Sequence, residues 1–470
     1  MGGKYMGFNL FKKPTELSKE EIAELLNTSP EALAAFEKAY QTISIQQDTG
    51  NFFDINVHDI KNLNAHFDDI SKDYIHDLSI RIVNELLSMS KTMRWKNGMF
   101  SVDKTPSGSF NNPVTLEEIY TLPENVRPQL TGRHMQRDLK DDGGAALFWT
   151  YRKFLREKNP KRKQQWYHLF RQGLDIQDLN PLIYAALGKN QNSIENWFPQ
   201  LCEGVKKQKF FKIPDTTILQ VPLPLLQLSR LDYGCMTPAT LYILDLFCQK
   251  IFRLQKEKEY FVKTGTFSSK YDFRHAHVQG EKEVNELGEY LLFIHNQACQ
   301  MAGPLMYPCT YGPGTTRSWV VREYIKDLEG NPCIYKGMPL HTEYRVFVDF
   351  DTKEILGISS YWKPDIMKQR FGHEKDADSP HNIHDYIIYL KHEKVLMSRY
   401  EKYKDKIEEQ VQKLLPDIPL TGQWSMDIMQ NGTDFYIIDM ALAVNSALIE
   451  CVPKEKLKPI VENWLPQIQD

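Results

Sequence analysis

The sequence predicts an α+β protein built on antiparallel sheets, not a doubly wound parallel one. Three observations carry this. Strand-like runs crowd into the C-terminal half, whereas apolar residues at helical spacing dominate positions 1–205. Consecutive strand candidates, 342–350 with 354–362 and 423–430 with 434–440, are joined by connections too short for a helical crossover. The chain has 470 residues, and a single core stops growing at roughly 250–300. Two units are therefore expected: a mostly helical N-terminal domain, 1–205, and an α+β domain, 206–470.

The elements follow in order. Ser18 and Glu21 form a capping box, and Ser29-Pro30 restarts a helix with Pro in its first turn. Ile75, Leu78, Ile82, Leu86, Met89 and Met93 recur every three or four residues and read as one face of a long helix. Thr115 and Glu118 form a second capping box. Beyond 206 the helices expected are 237–258, 281–301 and 383–415. The strands expected are 259–264, 318–325, 342–350, 354–362, 423–430 and 434–440.

Composition narrows the classes. Apolar residues make up 41% and charged residues 25%, which excludes disordered and fibrous chains. A net charge of −3 gives no global pull toward nucleic acid or a membrane surface. Seven cysteines without a CxxC pair suit free thiols in a reducing compartment. Met1 to Lys13 has no apolar run of the secretory kind, and no window reaches the roughly 18 apolar residues of a membrane span. A cytoplasmic protein with no membrane partner is expected. Walker-type, HExxH, GxSxG and kinase signatures are absent.

Four segments carry candidate chemistry. In 260–273, Lys263 sits late in an apolar strand, and a small-residue loop follows with a second lysine, Lys270. Gly265 and the hydroxyl residues there let backbone N–H groups converge on an anion, while the lysines add point charge. In 318–327, Arg322 lies inside a buried-looking strand and needs an anionic partner, either a ligand or a structural carboxylate such as Glu343. In 341–350, Arg345 shares a sheet face with Glu343 and Phe347. In 423–440, Asp427 and Asp439 are carboxylates within apolar strands joined by the turn signal Asn431-Gly432. They share a face if the loop is odd-numbered or a bulge intervenes. A three-residue loop, Asn431 to Thr433 with Gly432 at positive φ, places Asp427 opposite Ile437 and diagonal to Asp439. Two carboxylates on one buried face call for a cation, and beside phosphates that is Mg²⁺.

In this order the segments resemble the ATP-grasp superfamily. Within it they resemble the branch containing the eukaryotic cell-division-cycle protein that helps assemble translation initiation factor two. The bacterial and phage relatives of that branch are marked by two arginines and one lysine. The phrase Lys263-Thr-Gly-Thr-Phe-Ser-Ser-Lys270-Tyr-Asp272 is similar to that branch's strand and loop, and Glu343-Tyr-Arg345 followed by Leu-Gly-Ile-Ser to its central strands. The resemblance covers roughly 206–450. It implies two α+β lobes with antiparallel sheets enclosing ATP·Mg. It also implies an ATP-dependent ligase that activates a carboxylate as acyl phosphate for an amine. Lys263 and Lys270 would contact phosphates. The backbone of Glu323, Tyr324 and Ile325 would hydrogen-bond adenine, with Asp327 on the ribose. Arg322 and Arg345, with Lys263, would neutralise the group in flight. Asp427 and Asp439 would hold Mg²⁺. The family usually places Asn two residues past the last acid; here that position is Ala441, and Asn445 is the nearest substitute ligand.

Two other readings remain open. The branch resemblance and Ala441 also suit an ATP-binding, chaperone-like assembly factor without turnover, with a protein partner met through the N-terminal domain. Separately, Arg152, Lys153, Arg156, Lys158, Lys161, Arg162, Lys163 and Arg171 face only Glu157 within 150–171, interleaved with aromatic residues. That stretch suits either a solvated helix face or a nucleic-acid modification or repair role.

Overall fold

The computed structural model describes residues 18–25, 29–35, 72–103, isolated positions between 114 and 185, and then 187–230, 236–301, 316–371 and 380–458. Arg152, Lys153, Lys161 and Arg171 of the 150–171 cluster, and Thr115, lie outside the described residues. Among the described residues the helices of seven residues or more are α1 (Lys19–Leu25), α2 (Lys72–Ser88), α3 (Ile194–Val205), α4 (Pro238–Phe252), α5 (Leu287–Met301), α6 (Pro364–Phe371) and α7 (Pro380–Leu414). The strands run β1 (Lys91–Lys96), β2 (Met99–Val102), β3 (Phe211–Lys212), β4 (Thr216–Gln220), β5 (Tyr260–Thr264), β6 (His277–Val278) and β7 (Ser318–Glu323). They continue with β8 (Cys333–Ile334), β9 (Met338–Pro339), β10 (Glu343–Asp349), β11 (Glu354–Ser360), β12 (Gln423–Asn431) and β13 (Asp434–Leu442).

Two larger sheets organise these elements. The first has the order β2-β1-β4-β7-β5-β6, antiparallel throughout. The second has the order β11-β10-β12-β13-β3, antiparallel except where β3 runs parallel to β13. The α+β class and both expected hairpins, β10–β11 and β12–β13, are present. Among the described residues no helix is long and apolar enough to cross a membrane.

Local chemistry explains the starts and stops. The Ser18 N–H donates to Glu21 Oε2 at 2.7 Å, and the Glu21 N–H donates to Ser18 Oγ at 3.2 Å, closing the expected capping box. The Ala32 N–H donates to Ser29 Oγ. α4 stops at Phe252, short of 258, because Arg253 adopts a left-handed φ of 50°. The helix read through Met93 ends at Ser88 instead, and Met93 belongs to β1. Asn97-Gly98, both at positive φ (51° and 75°), turns β1 into β2. The pair β1–β2 thus lies inside the segment expected to be helical, and its sheet runs on into β4, β7 and β5, across the expected boundary at 205/206.

Both faces of the first sheet are covered. Leu219, Val262, Trp319 and Val321 pack against Ile82, Leu241 and Phe247 of the helices. On the other face Ile218 and Val320 join Trp197 and Phe198 of α3 and the apolar face of the second sheet, Tyr344, Val346, Met426 and Ile428. Strand alternation then fixes the polar side chains. Arg322 follows Val320 by two and Lys263 follows Val262 by one, so both look away from the α4–α5 layer, toward the second sheet.

Candidate functional site

A cavity of about 380 Å³ lies between the sheets. Lys263, Lys270, Arg322, Glu323, Tyr324, Ile325, Arg345, Asp427, Asp439 and Asn445 all line it. These residues come from β5 and its loop, β7, β10, β12, β13 and the turn after β13, so only the fold brings them together.

The two acids share a face for a reason different from the expected one. The β12–β13 turn has two residues, not three: Asn431 pairs with Asp434 around Gly432-Thr433, with Gly432 at φ 65°. Ile428 pairs with Ile437, the register then shifts, and Asp427 pairs with Asp439. The extra residue is Ile438. Phe435 and Ile437, before it, and Met440, after it, all face the apolar core. Without the bulge Asp439 would share that core face; with it, Asp439 stands directly opposite Asp427. The carbonyl of Ile438 accepts a hydrogen bond from Arg322 Nη1.

Ion pairs connect the sheets. Lys263, only 2% exposed, places Nζ 2.8 Å from Asp439 Oδ2. Burial draws the Lys263 ammonium below its ordinary pKa, and Asp439 opposes that shift. Arg345 grips Asp427 with two bonds, Nε to Oδ1 at 2.7 Å and Nη2 to Oδ2 at 2.6 Å. The two are cross-strand partners on β10 and β12. Arg322 is not paired with Glu343; its Nε is buried with no partner among the described residues. Glu343 sits on the cavity wall, and burial pushes its carboxyl up to about 7.

Charge and shape suit a polyanion bearing a flat apolar group. Five cations, Lys263, Lys270, Arg322, Arg345 and Arg370, line the cavity against four carboxylates, Glu323, Glu343, Asp427 and Asp439. Glu323 is engaged by Lys258 Nζ at 2.8 Å. Phe261, Tyr324, Met338 and Met429 supply an apolar wall.

Three expectations change. In the loop after Lys263 three N–H groups are used internally: that of Gly265 donates to the Ser318 carbonyl, and those of Thr266 and Phe267 to Thr264 Oγ1. Gly265 is needed instead for close approach, since a Cβ there would lie 2.1 Å from Thr316 Oγ1 and 2.5 Å from Ser193 Oγ. In the hinge the Glu323 and Tyr324 N–H groups already donate to the carbonyls of Asp215 and Glu259, so Ile325 carries the N–H left for a ligand. Asp327 does not line the cavity. It folds its own loop, accepting from the Asn331 N–H at 2.7 Å and Asn331 Nδ2 at 2.8 Å.

Asn445 reaches the cavity, but its Oδ1 accepts from Asn192 Nδ2 at 2.9 Å, and Asn192 Oδ1 in turn accepts from the Leu442 N–H. Tyr361 and Arg370 also line the cavity, and the sequence reading missed both. Tyr361 directly follows the end of β11, and its position after the Leu-Gly-Ile-Ser run is a signal in hindsight. Arg370 lies on a short polar helix and gives none.

No family model matches the chain, and no curated protein matches it. Among solved structures, C-terminally truncated Cdc123 from Schizosaccharomyces pombe is similar over 58% of this chain and 95% of its own, at 13% identity and a TM-score of 0.35. Cdc123 from the same organism covers 59% of this chain and 95% of its own, at 11% identity and a TM-score of 0.34. The likeness is loose and lends no residue roles to this chain.

Proposed function

We propose that the cleft binds ATP with Mg²⁺ and uses it, in the ATP-grasp manner, to activate a carboxylate as an acyl phosphate for attack by an amine. The observation that carries this is the meeting of Lys263 and Arg322 from one sheet with Asp439, Asp427 and Arg345 from the other across a single cavity.

The residues fit these ligands. Arg322 keeps a buried Nε without a partner, which a phosphate oxygen would satisfy. Asp427 and Asp439 offer the hard oxygen donors that Mg²⁺ takes, and they face each other on adjacent strands. The ion, when bound, neutralises phosphate charge and polarises the transferring group. Lys263 would exchange Asp439 for a phosphate oxygen, freeing that carboxylate. Arg345, held flat by Asp427, would turn toward the group in flight by giving up the Ala447 carbonyl that its Nη1 now meets. The apolar wall of Phe261, Tyr324 and Met338 would hold the base, with the Ile325 N–H as a donor. Fixed cations around the transferring group lower the barrier because charge spreads over its oxygens in the transition state.

A second reading, ATP binding that drives protein assembly without turnover, is favoured by one feature. The Asn445 amide oxygen is occupied by Asn192, and Ala441 offers no ligand in the place where the family carries Asn. Measuring ADP release separates the two. Release that rises with an acceptor and is lost in Asp439→Asn supports the ligase. ATP binding with no ADP released under any acceptor supports the assembly factor.

A further inference from the structure

Beyond the two acid–base pairs, the cavity holds a second group of cations around Tyr361. Lys270 Nζ lies 4.4 Å from the centre of the Tyr361 ring and hydrogen-bonds its hydroxyl. The Arg345 guanidinium lies 4.8 Å from the same ring. Arg370 enters from α6 beside the Tyr335 hydroxyl, which acts on its charge, and no hydrogen bond of ordinary geometry reaches its buried Nη1 among the described residues.

Only one of these cations is matched by an anion. Arg345 belongs to Asp427. Lys270 and Arg370 form no ion pair among the described residues. The Glu343 carboxyl acts on Lys270 without an ion pair between them, and burial pushes it up to about 7. Along β10, Glu343 precedes Arg345 by two residues; it stands opposite Met429, while Arg345 stands opposite Asp427. Glu343 thus lies two residues, about 6.6 Å, along β10 from Arg345, and its carbonyl accepts from the Tyr361 N–H. Two half-buried like charges, one with a buried and unfilled guanidinium nitrogen, are stabilised when an oxyanion joins them. A guanidinium fork, an ammonium and a phenol match a carboxylate.

We propose that Lys270, which the resemblance would put on the phosphates, instead joins Arg370 and Tyr361 in a carboxylate-binding subsite next to the phosphate end of the cleft, where the acceptor substrate is held. Its assignment to an acceptor rests on the ATP reading above; the subsite as an anion site does not.

The test uses the full chain with a non-hydrolysable ATP analogue and Mg²⁺, and titrates succinate and, separately, orthophosphate, with protein melting as readout. Succinate is expected to raise the melting temperature of the wild type. Arg370→Met is expected to weaken succinate at least tenfold while changing nucleotide affinity less than twofold. Arg370→Lys, which keeps the charge but not the fork, is expected to weaken it severalfold. Three results would overturn the proposal: no succinate response in the wild type, an unchanged response in Arg370→Met, or a parallel loss of nucleotide affinity, which would put Arg370 in the phosphate cradle. Orthophosphate bound in preference to succinate would overturn the carboxylate assignment. If the wild type binds no nucleotide at all, the ATP reading fails, and the succinate titration on the nucleotide-free protein still decides the subsite.

Discussion

At the scale of single residues, the cleft is held together by charges that do not tolerate separation. Lys263 is almost fully buried, whereas Asp439 keeps contact with solvent. Removing the acid strands a buried ammonium; removing the lysine strands only a half-exposed carboxylate. Asp439→Asn is expected to cost about 3 kcal/mol, and Lys263→Met clearly less. The double variant should recover most of the difference in a urea-unfolding cycle. Equal costs for the two single variants would contradict the asymmetry. Glu343 provides a pH signature. Its folded-state pKa of about 7 lies above the ordinary 4.5, so its contribution to stability is complete below about 4.5 and is lost as pH rises through 7. Glu343→Gln is expected to remove a fall of on the order of 1–3 kcal/mol between those limits, visible as a flatter plot of unfolding free energy against pH.

Residue type made part of this readable in the sequence. A lysine, two arginines and two aspartates inside apolar strands each needed a partner, and they line one cavity. Asp327 misled because a carboxylate near the hinge can serve its own loop equally well, and it does. Arg370 was invisible because nothing in a polar helical segment says which of its charges turns inward.

At the scale of elements, the bulge at Ile438 and the close approach at Gly265 decide where the charges point. From the sequence the acids share a face only if an odd-numbered turn or a bulge intervenes; both give the same parity, and the bulge, not the expected three-residue turn, is what the structure has. The β1–β2 hairpin was missed although Asn97-Gly98 announces it, since Met89 and Met93 extend the three- and four-residue spacing of α2 past its end. Gly265→Ala is expected to destabilise by about 1–3 kcal/mol, because its Cβ meets the buried, mutually hydrogen-bonded Ser193 and Thr316. Thermal melting checks this; an unchanged melting temperature would contradict it. Between α4 and α5, Asp245 sits beside buried Glu289. Burial, then the Glu289 charge, raises the Asp245 carboxyl well above the ordinary range. Stability from the Asp245 carboxyl is present at low pH and lost as pH rises, so Asp245→Asn should raise the melting temperature at pH 8 and change it little at pH 4.

At the scale of the whole molecule, the sheet that carries Lys263 and Arg322 draws its strands from both sides of residue 205. Helix α3 packs beneath it, in contact with residues of the second sheet. This long-range assembly was not readable from local periodicity, because β4, β5 and β7 are neighbours in space and far apart in sequence. It also means that anything bound between the sheets ties the molecule together as one unit.

The most direct measurement is therefore the melting temperature of the full chain against ATP·Mg, with Lys263→Met beside it. At about a hundredfold excess over its dissociation constant, a bound ligand adds ~2.7 kcal/mol, a rise of about 2–4 °C for a protein of this order of size. That rise is expected in the wild type with ATP·Mg and is expected to disappear in Lys263→Met. No rise in the wild type, or an equal rise in both, would contradict a nucleotide held between the two sheets.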